Sequence, residues 1–114
     1  SGLCVFTTFA WTLENIAPQV DAACDGEWST DRLVEVGERT WNLERDFNLA
    51  AGLSGADDTL PKRLLKEAAK TGPATGKVAE LDKMLPEYYE LRGWTPDGSV
   101  TPDIRERLGL PSLG

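Results

Sequence analysis

The sequence predicts an all-α fold of five or six helices, on three observations. Apolar residues recur at steps of three and four through Thr30–Ala50, which draws one stripe along a helix. Start and stop residues recur in helical order: Ser29, Pro61, Asp82 with Gly93, and Thr101-Pro102 with Gly109. Alternating apolar and polar runs bounded by turn residues, the mark of half-buried strands, are scarce.

Leu3 to Leu13 is nearly continuous apolar sequence, and its length favours a helix over the strand that its Phe, Thr and Val content favours. Pro18 fits the first position of a short helix running to about Asp25, with Gly26 as its left-handed stop. Ser29 caps the best-supported helix, Thr30 to Ala50. Val36, Thr40, Leu43, Phe47 and Ala50 form its apolar face, which Leu33 and Trp41 widen. Gly37 within it predicts close approach of a second helix, since glycine otherwise costs a helix interior about 1 kcal/mol. Ala51 to Leu60 reads as a loop, and Pro61 starts a helix through Leu64, Leu65 and Ala68. The run Thr71-Gly72-Pro73-Ala74-Thr75-Gly76 breaks that helix. Asp82 to Arg92 is the next helix, Pro96-Asp97-Gly98 makes a turn, and a last short helix ends at Leu108.

The 114 residues allow one domain, so residues 1–114 read as a single helical unit. Twelve Lys and Arg against 19 Asp and Glu give a net charge of −7, which argues against nucleic acid and anionic membrane as partners. With no histidine, Ser-His-Asp and Cys-His catalysis and His-ligated zinc or haem are excluded within this chain. Two cysteines are too few for a disulfide scaffold or a four-cysteine metal site. The opening reads as lacking a signal peptide, and the longest apolar stretch falls short of the roughly 20 residues of a membrane span. It reads as soluble and intracellular, and as a portion of something longer that is not a complete enzyme.

Cys4 is the first chemical candidate: a thiolate at the start of a helix suits a metal ligand, whereas a free cysteine also serves as a small buried hydrophobe. Asp57-Asp58, in a glycine-containing loop, suit a cation or a paired acid and base, or else cap the helix that follows. Their spacing matches no EF-hand. The Glu44-Arg45-Asp46 and Arg105-Glu106-Arg107 clusters read as solvated helix faces, and Tyr88-Tyr89 and the tryptophans as core and interface aromatics.

Three stretches carry a resemblance. Gly37-Glu38-Arg39-Thr40-Trp41-Asn42-Leu43-Glu44-Arg45-Asp46-Phe47-Asn48 resembles a signature helix in the C-terminal region of the tungsten-dependent aldehyde:ferredoxin oxidoreductases. Asp57-Asp58-Thr59-Leu60-Pro61-Lys62-Arg63 is similar to the loop after that helix. Tyr88-Tyr89-Glu90-Leu91-Arg92-Gly93-Trp94, followed by Asp97-Gly98 and a capped helix ending Leu108-Gly109-Leu110, is similar to the family's carboxyl terminus. Gly2-Leu3-Cys4 looks like the tail of the family's Asp-x-x-Gly-Leu-Cys motif. That resemblance implies that Cys4 is the last of four ligands to a [4Fe-4S] cluster. It also implies that Leu3 contacts, through its backbone, a bis-pterin holding tungsten or molybdenum.

The opening Asp of the motif, the other three cluster cysteines and the first pterin motif are missing from this sequence. The resemblance therefore implies the helical C-terminal part of a larger cytoplasmic, multidomain enzyme. That part closes the cofactor and substrate cavity, is inactive alone, and is expected to hold no cofactor by itself. The partners implied are the remaining domains of the parent and ferredoxin as electron acceptor. Asp57 and Asp58 are expected beside the substrate channel. The apolar start, Leu3, Val5, Phe6, Phe9 and Trp11, is expected to be a surface the parent covers, through which the isolated part self-associates. The alternative is a free-standing acidic helical interaction module without redox chemistry.

Overall fold

The computed structural model describes residues 4–111 of a chain that falls into two compact units, Ser1–Trp41 and Asn42–Gly114. Five α-helices follow in order: α1 (Leu13–Ala23), α2 (Thr30–Ala50), α3 (Lys62–Lys66), α4 (Leu81–Arg92) and α5 (Pro102–Leu108). Single 3-10 turns occupy Val5–Phe9 and Gly55–Asp57. Among the described residues the only β pairings are isolated bridges, Ala69 with Thr75 and Trp94 with Val100. The all-α expectation holds.

The first unit departs from expectation at its start. Val5–Phe9 is a 3-10 turn rather than part of a helix spanning Leu3–Leu13. The Thr7 and Thr8 hydroxyls donate to the carbonyls of Cys4 (2.8 Å) and Val5 (2.7 Å), the local competition by which threonine disfavours a regular helix. Helix α1 then begins at Leu13, five residues before Pro18. Asn15 Oδ1 accepts from the Thr12 backbone N–H (2.9 Å) and hydroxyl (3.3 Å), so this cap outcompetes the proline as a start signal. Pro18 sits inside the helix and forgoes one backbone bond. The helix ends at Ala23, and Gly26, at φ +105°, lies three residues beyond it. Ser29 caps α2 as expected, accepting from Arg32 N–H at 3.2 Å.

Helix α2 has the expected range but not the expected face. Its buried residues are Asn42, Arg45 and Asp46, whereas Val36, Trp41 and Phe47 are exposed, Phe47 at 67%. The reading of Glu44-Arg45-Asp46 as a solvated face is thereby corrected: two of the three are interior. Among the described residues nothing approaches within 4 Å of a Cβ placed on Gly37, so the close helix contact expected there is not seen among them.

In the second unit Tyr89, Trp94 and Val100 form the core, with Leu85, Tyr88, Ile104 and Leu110 packed around it. Trp94 meets Tyr88 edge-on at 5.7 Å and Tyr89 at 5.9 Å between ring centroids. Gly93 ends α4 in the left-handed region, as expected. The turn built on Pro96-Asp97-Gly98 closes through Thr95 N–H to Ser99 O (2.9 Å) and Gly98 N–H to Thr95 O (2.8 Å). Thr101 caps α5 and also donates its hydroxyl to Gly93 O at 2.8 Å, tying the end of α4 to the start of α5.

Because that hydroxyl serves two elements, Thr101→Ala should cost about 1–2 kcal/mol, the upper range for a lost cap, read as a lowered urea-unfolding midpoint. Thr101→Ser should restore most of it.

Candidate functional site

The second unit is built around a buried guanidinium. Arg45, 9% exposed, projects from α2 and uses its whole fork. Nη1 and Nη2 donate to the two carboxylate oxygens of Asp58 at 2.8 and 2.6 Å, and Nε donates to Gly98 O at 2.8 Å. The guanidinium lies 5.0 Å from the Trp94 ring centroid and 5.9 Å from that of Tyr89, within cation–π range. The Tyr89 hydroxyl donates to Asp58 as well. One turn of α2 earlier, Asn42 accepts from Trp94 Nε1 at 2.8 Å. One residue later, Asp46 accepts from Arg105 Nη2 at 2.6 Å, and its Oδ2 is buried with no hydrogen-bond partner among the described residues.

Gly98 lets the turn reach this centre. Its φ is +81°, and a Cβ there would stand 2.3 Å from Arg45 Nη2 and 2.9 Å from the Tyr89 ring. Gly55 serves the same approach from the loop side, since its Cβ would stand 2.5 Å from Asp97 O. Beside Tyr89 opens a hollow of about 430 Å³ walled by Leu49, Ser54, Gly55, Leu85 and Asp97. Neither Asp57 nor Asp58 is among its lining residues.

The electrostatics follow the geometry. The Arg45 hydrogen bonds hold the Asp58 carboxyl below its ordinary 3.8, against its partial burial, and the Tyr89 hydroxyl helps. Burial pushes the Tyr89 phenol above its ordinary 10.0, and donation to Asp58 adds to the rise. A lowered carboxyl stabilises the fold above the unfolded value and loses that contribution as pH falls through the folded one. A raised phenol contributes below the unfolded value and loses its share as pH rises through the folded one.

The sequence candidates separate. Asp57 caps the 3-10 turn, its Oδ2 accepting from Ser54 N–H (2.8 Å) and Ser54 Oγ (3.0 Å). Asp58 joins the buried cluster instead, so the adjacent pair does not act on one ligand together. Leu3 lies outside the described residues. Cys4 is exposed and free of any disulfide, as is Cys24. The Cys4 carbonyl accepts from Thr7 N–H (3.0 Å) and Thr7 Oγ1 (2.8 Å), which fixes its backbone while leaving the sulfur accessible. Among the described residues no three His, Cys, Asp or Glu side chains gather as a metal site. Cys4 thus presents one accessible soft thiol, the chemistry of a single ligand position rather than of a whole ligand set. Sequence reasoning missed Arg45, Asn42, Asp46 and the pairing of Arg105. The one available signal was that Asn42, Arg45 and Asp46 share a face of α2 whose other side is apolar, and it gave no hint of Arg105 on α5.

Comparison with known proteins adds a lineage. The family model described as "Aldehyde ferredoxin oxidoreductase, domains 2 & 3" matches residues 1–110. Proteins named tungsten-containing aldehyde ferredoxin oxidoreductase from Thermococcus kodakarensis and Pyrococcus horikoshii are each 48% identical over 111 residues. The one from Pyrococcus furiosus is 47% identical over the same length. Each alignment covers 96% of this chain and 18% of the relative, so the chain spans under a fifth of the length of the proteins it matches.

Asp58→Asn keeps the shape but removes the charge that compensates Arg45. It should cost about 2–3 kcal/mol in urea unfolding at neutral pH, and it should flatten the acid limb of the stability profile below about pH 4. Gly98→Ala combines overpacking with a left-handed φ and should cost about 2–4 kcal/mol by the same measurement.

Proposed function

Since the chain belongs to the aldehyde ferredoxin oxidoreductase family, we propose that it forms part of a tungsten- or molybdenum-pterin, [4Fe-4S] enzyme. That enzyme oxidises aldehydes to carboxylic acids in the cytoplasm and passes the electrons to ferredoxin. The observation that supports the reading best is an exposed, unbridged Cys4 within a family match that begins at residue 1. When bound, the cluster supplies one-electron transfer between the pterin-held metal and the acceptor.

In this reading Cys4 donates its thiolate to one iron, held in place by the two Thr7 bonds to its carbonyl. Leu3 contacts the pterin through its backbone. The buried Arg45–Asp58 cluster acts as a positioning device, giving the second unit a rigid face that closes one side of the cavity, and this part is inactive without the rest. The loop bearing Asp57 and Asp58 borders the substrate channel through its backbone and the exposed Asp57, because both Asp58 oxygens are engaged by Arg45. Val5, Phe6 and Phe9, at 72, 71 and 86% exposed, form a surface that the remaining domains cover and through which the isolated part self-associates.

The test is metal and acid-labile sulfide analysis of the full-length parent, purified without oxygen, beside its Cys4→Ala variant. Tungsten or molybdenum with cluster iron is expected in the parent, with iron and sulfide lost in the variant. A parent with neither metal nor sulfide would leave a helical interaction module.

A further inference from the structure

Charge is unevenly spread along the second unit. Residues 62–77 hold five cations, Lys62, Arg63, Lys66, Lys70 and Lys77, and one carboxylate, Glu67. The rest of the unit holds five cations and eleven carboxylates, and the whole chain is at −7. All five cations of the segment are exposed, and among the described residues none of them forms an ion pair. Elsewhere in the unit Arg45, Lys83 and Arg105 are each committed to a carboxylate.

The segment is also shaped. Gly76 N–H to Ala69 O (2.8 Å), Ala69 N–H to Lys77 O (3.0 Å) and Thr75 Oγ1 to Gly72 O (2.6 Å) close residues 69–77 into a compact loop. Ala79 N–H to Leu64 O (2.9 Å) ties it back to α3. Between helix and loop lies a hollow of about 390 Å³ walled by Arg63, Glu67, Lys70 and Lys77. An ordered backbone that presents clustered cations costs a partner less ordering than a mobile segment, and their field steers an oppositely charged surface toward them.

We propose that Lys62–Lys77 is a docking surface for an acidic protein that presents clustered carboxylates. A compact partner meets the positive segment without reaching the negative surface around it. A long polyanion such as nucleic acid would run beyond the segment onto the exposed carboxylates of an acidic chain and be repelled. On the functional reading above, on which this inference rests, the acidic partner is the electron carrier.

The test uses full-length enzyme and an acidic [4Fe-4S] ferredoxin as probe, with direct binding measured at low and high ionic strength. Lys62→Glu, Arg63→Glu, Lys70→Glu and Lys77→Glu together should weaken low-salt binding about tenfold or more and remove most of its salt dependence, since these cations carry the steering. Lys70→Gln with Lys77→Gln should give a smaller loss in the same direction, and checks that the larger change is not misfolding. Unchanged binding in both variants overturns the proposal. So does a variant whose own domains come apart, because the surface would then be an internal interface. Aldehyde-dependent reduction of a small dye, followed in parallel, reports on the functional reading separately: its absence with ferredoxin binding intact would overturn the chemistry and leave the docking surface standing.

Discussion

A guanidinium taken out of water must recover its hydration from fixed groups, and in this chain Arg45 recovers it from three separate segments. The loop after α2 supplies Asp58, the turn after α4 supplies Gly98 O, and α4 with the residue after its Gly93 cap supplies the rings of Tyr89 and Trp94. One side chain thus holds both the loop at Asp58, 13 residues away, and the stretch from Tyr89 to Gly98, up to 53 residues away. The planar fork matters, because a lysine offers neither the bidentate geometry to Asp58 nor the flat face that stacks against two rings.

Several local choices follow from that requirement. Position 98 must be glycine, since its backbone approaches Arg45 and Tyr89 too closely for a Cβ. The Asp58 oxygens are engaged by Arg45 and Tyr89, so the loop conformation that delivers Asp58 is fixed from below, while Asp57 and Ser54 fix it from within. The interior face of α2 becomes polar, with Asn42 and Asp46 flanking Arg45 and finding Trp94 and Arg105. A polar interior of this kind specifies one arrangement, because a slipped register would leave a buried charge without its partner.

The helices that were legible in the sequence were those with side-chain punctuation. Ser29, Gly93, Thr101 and Gly109 each mark a boundary the structure keeps, because caps and left-handed stops act over a single turn. The start of α1 was hidden because Pro18 is the more conspicuous signal, while Thr12 and Asn15 cap through a weaker pattern. The face of α2 was misread for a deeper reason. Periodicity reports which side of a helix is apolar, and burial follows it only when the core supplies apolar neighbours. Here α2 in the second unit meets Asp58, the Gly98 carbonyl, Arg105, the Trp94 indole N–H and two ring faces that accept a cation, so Arg45 turns inward and Phe47 outward. The cluster was illegible for the same reason: its partners lie 13 and 53 residues from Arg45, and nothing in local spacing pairs them.

The apolar residues left outside are the other half of the argument. Among the described residues the buried hydrophobics are Ala17, Tyr89, Trp94, Val100 and Leu108, while Val5, Phe6, Phe9, Phe47 and Leu91 are each more than 65% exposed. Burying one such side chain is worth about 1.5–3 kcal/mol, so leaving five of them in water forgoes a sum comparable with the whole stability of a small domain. A chain selected to stand alone would be under pressure to cover or replace them. On the reading proposed above, the remaining domains would cover them and remove that pressure. The polar cluster then acquires a clear physical purpose. With so little apolar burial of its own, the second unit holds its shape through directional bonds centred on Arg45.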